Sequence, residues 1–152
     1  MHVEERNVVE REVRVAARPE TVFAFFTDPD KMIQWKGRKA ELDPRPGGMY
    51  RVDINGRDVA RGEYVELDPP RRVVFTWGWE SEGEGHAVPP GSSRVEVSLE
   101  PDGKGTLVRL RHVDLPEEAL EIHGQGWDLY LGRLAKVAAG EDPGPDPWAE
   151  SD

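Results

Sequence analysis

The sequence predicts one α+β domain, a curved antiparallel sheet of about seven strands closed over a single long C-terminal helix, with two short helices after the first strand. Three observations carry this expectation. Short stretches with period-two alternation, separated by Gly and Pro signals, fill the middle of the chain. Leu120, His123, Trp127, Leu131, Leu134 and Ala138 recur at helical spacings and draw one continuous apolar face. Two apolar segments too short for long helices follow the first strand.

Val9, Arg11, Val13 and Val15 alternate with polar neighbours, so a half-buried strand is expected over 8–16. Pro19 suits the first turn of a helix and Glu20 its positive end, and Val22, Phe23, Phe25 and Phe26 supply the apolar stripe. Asp28-Pro29-Asp30 opens a second short helix carrying Met32, Ile33 and Trp35. Strands are then expected near 39–42, 48–54, 59–67, 71–79, 94–100 and 106–112. Asn55-Gly56 is a hairpin signal, Asp68-Pro69-Pro70 ends a strand, and Asp102-Gly103 separates the last two strands. Gly48 is expected where the backbone has positive φ or is crowded by a neighbour. The segment 81–91 is rich in Gly, Glu and Pro and is expected to be a mobile loop.

Pro116-Glu117-Glu118 opens the long helix, which should reach Ala139. The domain is therefore placed at residues 6–139. Residues 140–152, acidic and rich in Pro and Gly, are expected to form a tail outside the core, with Trp148 its only large apolar group, and deletion of 142–152 to cost little stability.

The 152 residues leave no room for a second domain of ordinary size. Acidic side chains outnumber basic ones by 30 to 20, so the net charge of -10 argues against nucleic acid as a partner. No cysteine is present, which removes disulfides and thiolate chemistry. No apolar run is long enough for membrane insertion, and the start Met1-His2-Val3-Glu4-Glu5-Arg6 has no apolar core like that of a signal peptide. A cytoplasmic monomer or homodimer without a cofactor is expected.

Six local patterns add a resemblance. They are Pro19-Glu20-Thr21-Val22-Phe23, Trp35 closing the second helix, Pro46-Gly47-Gly48-Met49-Tyr50, Gly62-Glu63-Tyr64, the run from Pro70 to Trp77, and His123-Gly124-Gln125-Gly126-Trp127. In this order they resemble the START-like superfamily, also called SRPBCC or Bet v-like, and within it the homologues of the activator of the heat-shock chaperone ATPase. The resemblance implies a helix-grip fold with a cavity between sheet and C-terminal helix. That superfamily carries lipids, sterols, polyketides and plant hormones, and a minority of its members are cyclases or other enzymes.

The candidate binding set is Trp35, Tyr50, Tyr64, Phe75, Trp77, Trp79, His123, Trp127, Tyr130 and Leu131. Any one of these is explained by core packing, whereas aromatic rings gathered on one interior are also what lines an apolar pocket. Trp127 leads the set because Gly124 and Gly126, each costing about 1 kcal/mol against alanine in a helix, suggest close approach by sheet backbone or ligand. His123, one turn before Trp127, is either a hydrogen-bonding group at the pocket or a histidine satisfied by a backbone carbonyl. His112 and His86 have no partner at metal-ligand spacing, and Ser92 and Ser93 do not form a nucleophile elbow, so neither a metal site nor a catalytic serine is expected.

The favoured function is the binding of an apolar or amphipathic molecule, lipid-, sterol- or polyketide-like, without catalysis. One alternative is a cyclase, dehydratase or isomerase in which His123 works with a buried carboxylate or with Arg51, the candidates on strands being Asp53, Glu63 and Glu66. The other is a chaperone-ATPase-activator-like interaction module.

Overall fold

The computed structural model describes residues 7–80 and 88–147. Its elements are β1 (Val9–Val15), α1 (Pro19–Thr27), α2 (Pro29–Trp35), β2 (Lys39–Leu42), β3 (Met49–Asp53), β4 (Val59–Asp68), β5 (Arg72–Trp77), β6 (Ser93–Asp102), β7 (Gly105–Val113), a turn of 3-10 helix (Glu117–Ala119) and α3 (Leu120–Ala138). The seven strands make one sheet in the order β1-β7-β6-β5-β4-β3-β2, with every neighbouring pair antiparallel. This is the predicted α+β arrangement. The chain runs through β2 to β7 as a meander, and β1 returns to the free edge of β7.

Local chemistry explains the boundaries. Asp28 caps α2 by accepting a bond of 2.9 Å from the Asp30 N–H, with Pro29 at the first helical position. The Asn55-Gly56 hairpin forms as expected, with Gly56 at φ 88° and the Asn55 side-chain oxygen accepting from the Arg57 and Asp58 N–H groups. The ladder between β4 and β5 shifts register between Tyr64 and Glu66, leaving Val65 as the extra residue of a bulge. β5 ends at Trp77, two residues earlier than expected. Gly78 leaves the ladder, and Trp79 forms a single bridge to Ala60 while its N–H donates to the Val88 carbonyl at 2.6 Å. The expected mobile loop falls mostly on 81–87, outside the described residues, but Val88 at its end is fully buried.

The core fills the concave side of the sheet. Tyr50 stacks on Phe75 at 4.2 Å, with Tyr64 edge-on to both. The carbonyls at the end of α1 lack intrahelical partners, and aromatic side chains supply them. The Trp35 indole donates to the Phe25 carbonyl at 3.0 Å, and the Tyr64 hydroxyl donates to the Phe26 carbonyl at 2.8 Å.

The segment after α3 departs from the expected free tail. The Arg133 guanidinium donates to the Trp35 carbonyl at 3.0 Å and to the Gly144 carbonyl at 2.9 Å, so one side chain fastens residues 143–144 and the end of α2 to α3. Asp146 is consequently buried against the core, while the other described residues after Gly140 stay half-buried or exposed. Proline and acidic content stops a helix, but it does not prevent docking of an irregular segment on a waiting arginine.

Gly48 is crowded, as expected. Its φ is not positive, and a Cβ there would overlap the Asp43 carbonyl, while its own carbonyl accepts from the Tyr64 N–H at 2.8 Å. Gly48→Val should therefore lower stability by roughly 2 kcal/mol or more, since the clash is with backbone that cannot swing away. Urea denaturation measures this, and an unchanged midpoint would contradict the crowding.

Candidate functional site

One helix cannot cover a seven-stranded sheet that curves away from it, and between the end of α2, the first half of α3 and the strands below a cavity of about 60 Å³ remains. Lys36 enters it from the end of α2, Ile54, Trp77 and Trp79 from the sheet, and Ile122, His123, Gly126, Trp127 and Tyr130 from α3. A single water needs about 10–15 Å³ of such space, so the cavity, partly open beside Ile122, holds a few waters or a group of roughly four to six heavy atoms.

The wall behind Trp127 is a chain of directed hydrogen bonds. The indole N–H of Trp127 donates to Nδ1 of His112 at 3.0 Å, which fixes Nδ1 as the acceptor. Nε2 of the neutral ring then carries the proton and donates to the Ser93 hydroxyl at 2.8 Å, and that hydroxyl donates to the Trp77 carbonyl at 2.8 Å. Ser93 cannot pass its proton to His112 in this arrangement, so the pair is structural. Burial, with His123 and Lys36 nearby, pushes the His112 pKa well below its ordinary value.

His123 lies edge-on to Trp77 at 4.9 Å and to His112 at 5.2 Å. It makes no hydrogen bond among the described residues, so the backbone-carbonyl partner considered from the sequence is not what holds it. Burial first, and the charge of Lys36 second, lower its pKa to about 4. Both imidazoles are neutral at pH 7.

Lys36 is the cation of the site. It follows the last residue of α2 and is almost fully buried, with its ammonium 4.3 Å from the Trp127 ring centre, 5.7 Å from Tyr130 and 6.0 Å from Trp77. Burial lowers its pKa from 10.5 to about 7, against an opposing attraction from Asp146. Asp146 also stands at the Tyr130 hydroxyl, whose pKa burial and that carboxylate together raise.

The structure brings Trp77, Trp79, His123, Trp127 and Tyr130 of the predicted set around the cavity. Trp35, Tyr50, Tyr64, Phe75 and Leu131 lie elsewhere in the core, two of them with their polar ends spent on α1 carbonyls. The partners considered for an acid–base pair with His123 are absent from the cavity. Arg51 pairs with Glu80 at 2.8 Å outside it, Asp53 accepts from the Gly56 N–H in the hairpin, and Glu63 and Glu66 are exposed. Gly124 does not face sheet backbone: the atoms nearest to a Cβ there belong to the movable Arg11 guanidinium, 2.7 Å away, which bonds Asp128 one turn on at 2.6 Å. Gly126 lines the cavity itself.

Lys36, Asp146 and the role of His112 were missed from sequence. The available signal was small: Lys36 follows Met32 by one helical turn, at the edge of the buried face of α2.

An open antiparallel sheet gripping a C-terminal helix, with an aromatic-lined cavity between them, defines the START-like class. Within it, the chain belongs to the family described as "Activator of Hsp90 ATPase homolog 1-like protein", which matches residues 16–139. An AHSA1-like protein of Rhizobium etli, solved in solution, is 46% identical over 95% of this chain and 89% of its own, with a TM-score of 0.72. CalU16 from Micromonospora echinospora is 28% identical over 87% of this chain and 76% of its own, with a TM-score of 0.70. The human activator of 90 kDa heat shock protein ATPase homolog 1 is 26% identical over 74% of this chain and 31% of its own. The chain thus spans about a third of the length of the curated relatives it matches. No helix among the described residues is long and apolar enough to cross a membrane.

Because the folded pKa of Lys36 lies below its ordinary value, the unfolded chain holds more protons between pH 7 and 10.5, and stability rises with pH across that window. His123 adds a separate rise between pH 4 and 6.5. Lys36→Met should be more stable than the parent at neutral pH and should flatten the rise between about pH 7 and 9 while leaving the acid-side fall in place. Urea midpoints across pH measure both; a parent profile already flat above pH 7 would contradict the buried ammonium.

Proposed function

We propose that the protein binds a small amphipathic molecule, or the slender end of a larger one, in the cavity between α3 and the sheet. The observation that carries this is the pairing of an apolar aromatic wall with one buried ammonium. Within the cavity the Lys36 ammonium lies against the faces of Trp127, Tyr130 and Trp77. A buried charge without a hydrogen-bond acceptor is costly, and a ligand oxygen beside it would offset part of that cost. Apolar rings with a few convergent polar groups are the usual composition of a small-molecule site.

Size narrows the class. Whole sterols and polyketides use pockets of about 300–1,000 Å³, and a cavity of about 60 Å³ cannot enclose one unless its walls move. Ile122, 48% exposed, and the half-buried Trp79 are the lining residues nearest solvent and the ones that can move at least cost. Short aliphatic molecules of about four to six heavy atoms with one acceptor group fit without rearrangement.

Tryptophan emission tests this. Titration with butanol, butyrate, a long fatty acid and a sterol should give a saturable response to the short members, and a much weaker response in Trp127→Phe. A response to none of them would remove the carrier reading and leave a protein-interaction role as the better account.

A further inference from the structure

The one primary amine in the cavity suggests what the ligand's polar group is. Building on the proposed binding site, we propose that Lys36 is a covalent site for a small aldehyde or ketone, which it captures as an imine.

Two features support it. The amine is presented to an apolar, partly open cavity, with the ring faces of Trp127, Tyr130 and Trp77 against Nζ and Asp146 acting on its charge from further off. Desolvation has brought its pKa to about 7, so roughly half of it is neutral at pH 7, on the order of a thousandfold more than for an ordinary lysine.

The step balances without a further reactant. The Nζ lone pair bonds to the carbonyl carbon as the C–O π pair moves to oxygen, and a proton passes from nitrogen to oxygen to give a carbinolamine. Loss of the hydroxyl with the second nitrogen proton releases one water and leaves the C=N bond. An apolar cavity favours this product, because water is what reverses it.

The charged and titratable groups facing Lys36 set the pH range. Asp146 from the segment after α3 favours its protonated form, while burial favours the neutral amine, with His112 on β7 and His123 on α3 both neutral at pH 7. The phenol of Tyr130 stays protonated there.

The test has two arms on the full-length protein. In the first, the protein is incubated at pH 7 with butanal and cyanoborohydride, and labelled lysines are located by peptide mass spectrometry. Lys36 should acquire one butyl group at least tenfold faster than Lys31, Lys39, Lys104 or Lys136, with a rate that reaches half its plateau near pH 7. In the second, butanol, which cannot form an imine, is titrated by tryptophan emission, and saturating butanol should protect Lys36 from butanal. Saturable butanol binding with label spread over the exposed lysines would overturn covalent capture and leave the binding site standing. Failure of both arms would remove both. Lys36→Met should bind butanol and lose the preferred label; were that variant not to fold, protection and pH profile in the parent decide alone.

Discussion

The hydrogen bond from the Trp127 indole to His112 is the contact on which the site depends, because it ties α3 to the sheet at a distance that rings can reach and backbone cannot. With the helix held there, Trp127 packs against His112 of β7, whose other side meets Trp77, and the space left toward α2 becomes the cavity. The same bond dictates the proton on His112, and through it the orientation of the Ser93 hydroxyl. Substituting Trp127 would thus alter more than one wall of a pocket. It would leave a buried imidazole nitrogen without its donor, a cost comparable to a lost core hydrogen bond.

Two kinds of buried base sit side by side, and the protein treats them differently. His112 spends both nitrogens on defined partners and is held neutral by burial, so it has nothing left for chemistry. Lys36 has a carboxylate in range but only aromatic faces against its nitrogen, and burial leaves it balanced between charged and neutral forms near pH 7. Fully satisfied polar groups stabilise a core, whereas an unsatisfied one is tolerated where it serves something else. That difference, more than the number of aromatics, separates the cavity from the rest of the interior.

Most of the fold was legible because it rests on local rules. Alternation in Val9, Arg11, Val13 and Val15 gave β1, the Asn55-Gly56 pair gave its hairpin, and the spacing from Leu120 to Ala138 gave α3. The site was legible only in half. Trp77, Trp79, His123, Trp127 and Tyr130 share an interior and could be grouped by period, but so could Tyr50, Tyr64 and Phe75, which pack with one another instead. What divides the two groups is the curvature of the sheet relative to one helix, a property of the assembled layers that no spacing encodes. Lys36 and Asp146 were illegible for a related reason: each lies just beyond a regular element, where periodicity ends and tertiary contacts decide.

Asp146 shows how a segment without regular structure comes to complete the site. The long reach of Arg133 lets it donate to the Trp35 carbonyl on one side and to the Gly144 carbonyl on the other, so the end of α2 and the segment after α3 are held by one guanidinium. A cation at the carboxyl end of α2 is favoured by the helix dipole, and its remaining donors are free to collect a passing chain. Lys36 follows Trp35, and Asp146 follows Gly144 by two residues, so fastening the two carbonyls also brings an ammonium and a carboxylate into the same buried region. Burial pulls the lysine toward the neutral form and the carboxylate pulls it back. Any change that loosens residues 143–146 therefore acts on the amine in the cavity, and the electrostatics of the pocket and the docking of the terminal segment are one equilibrium.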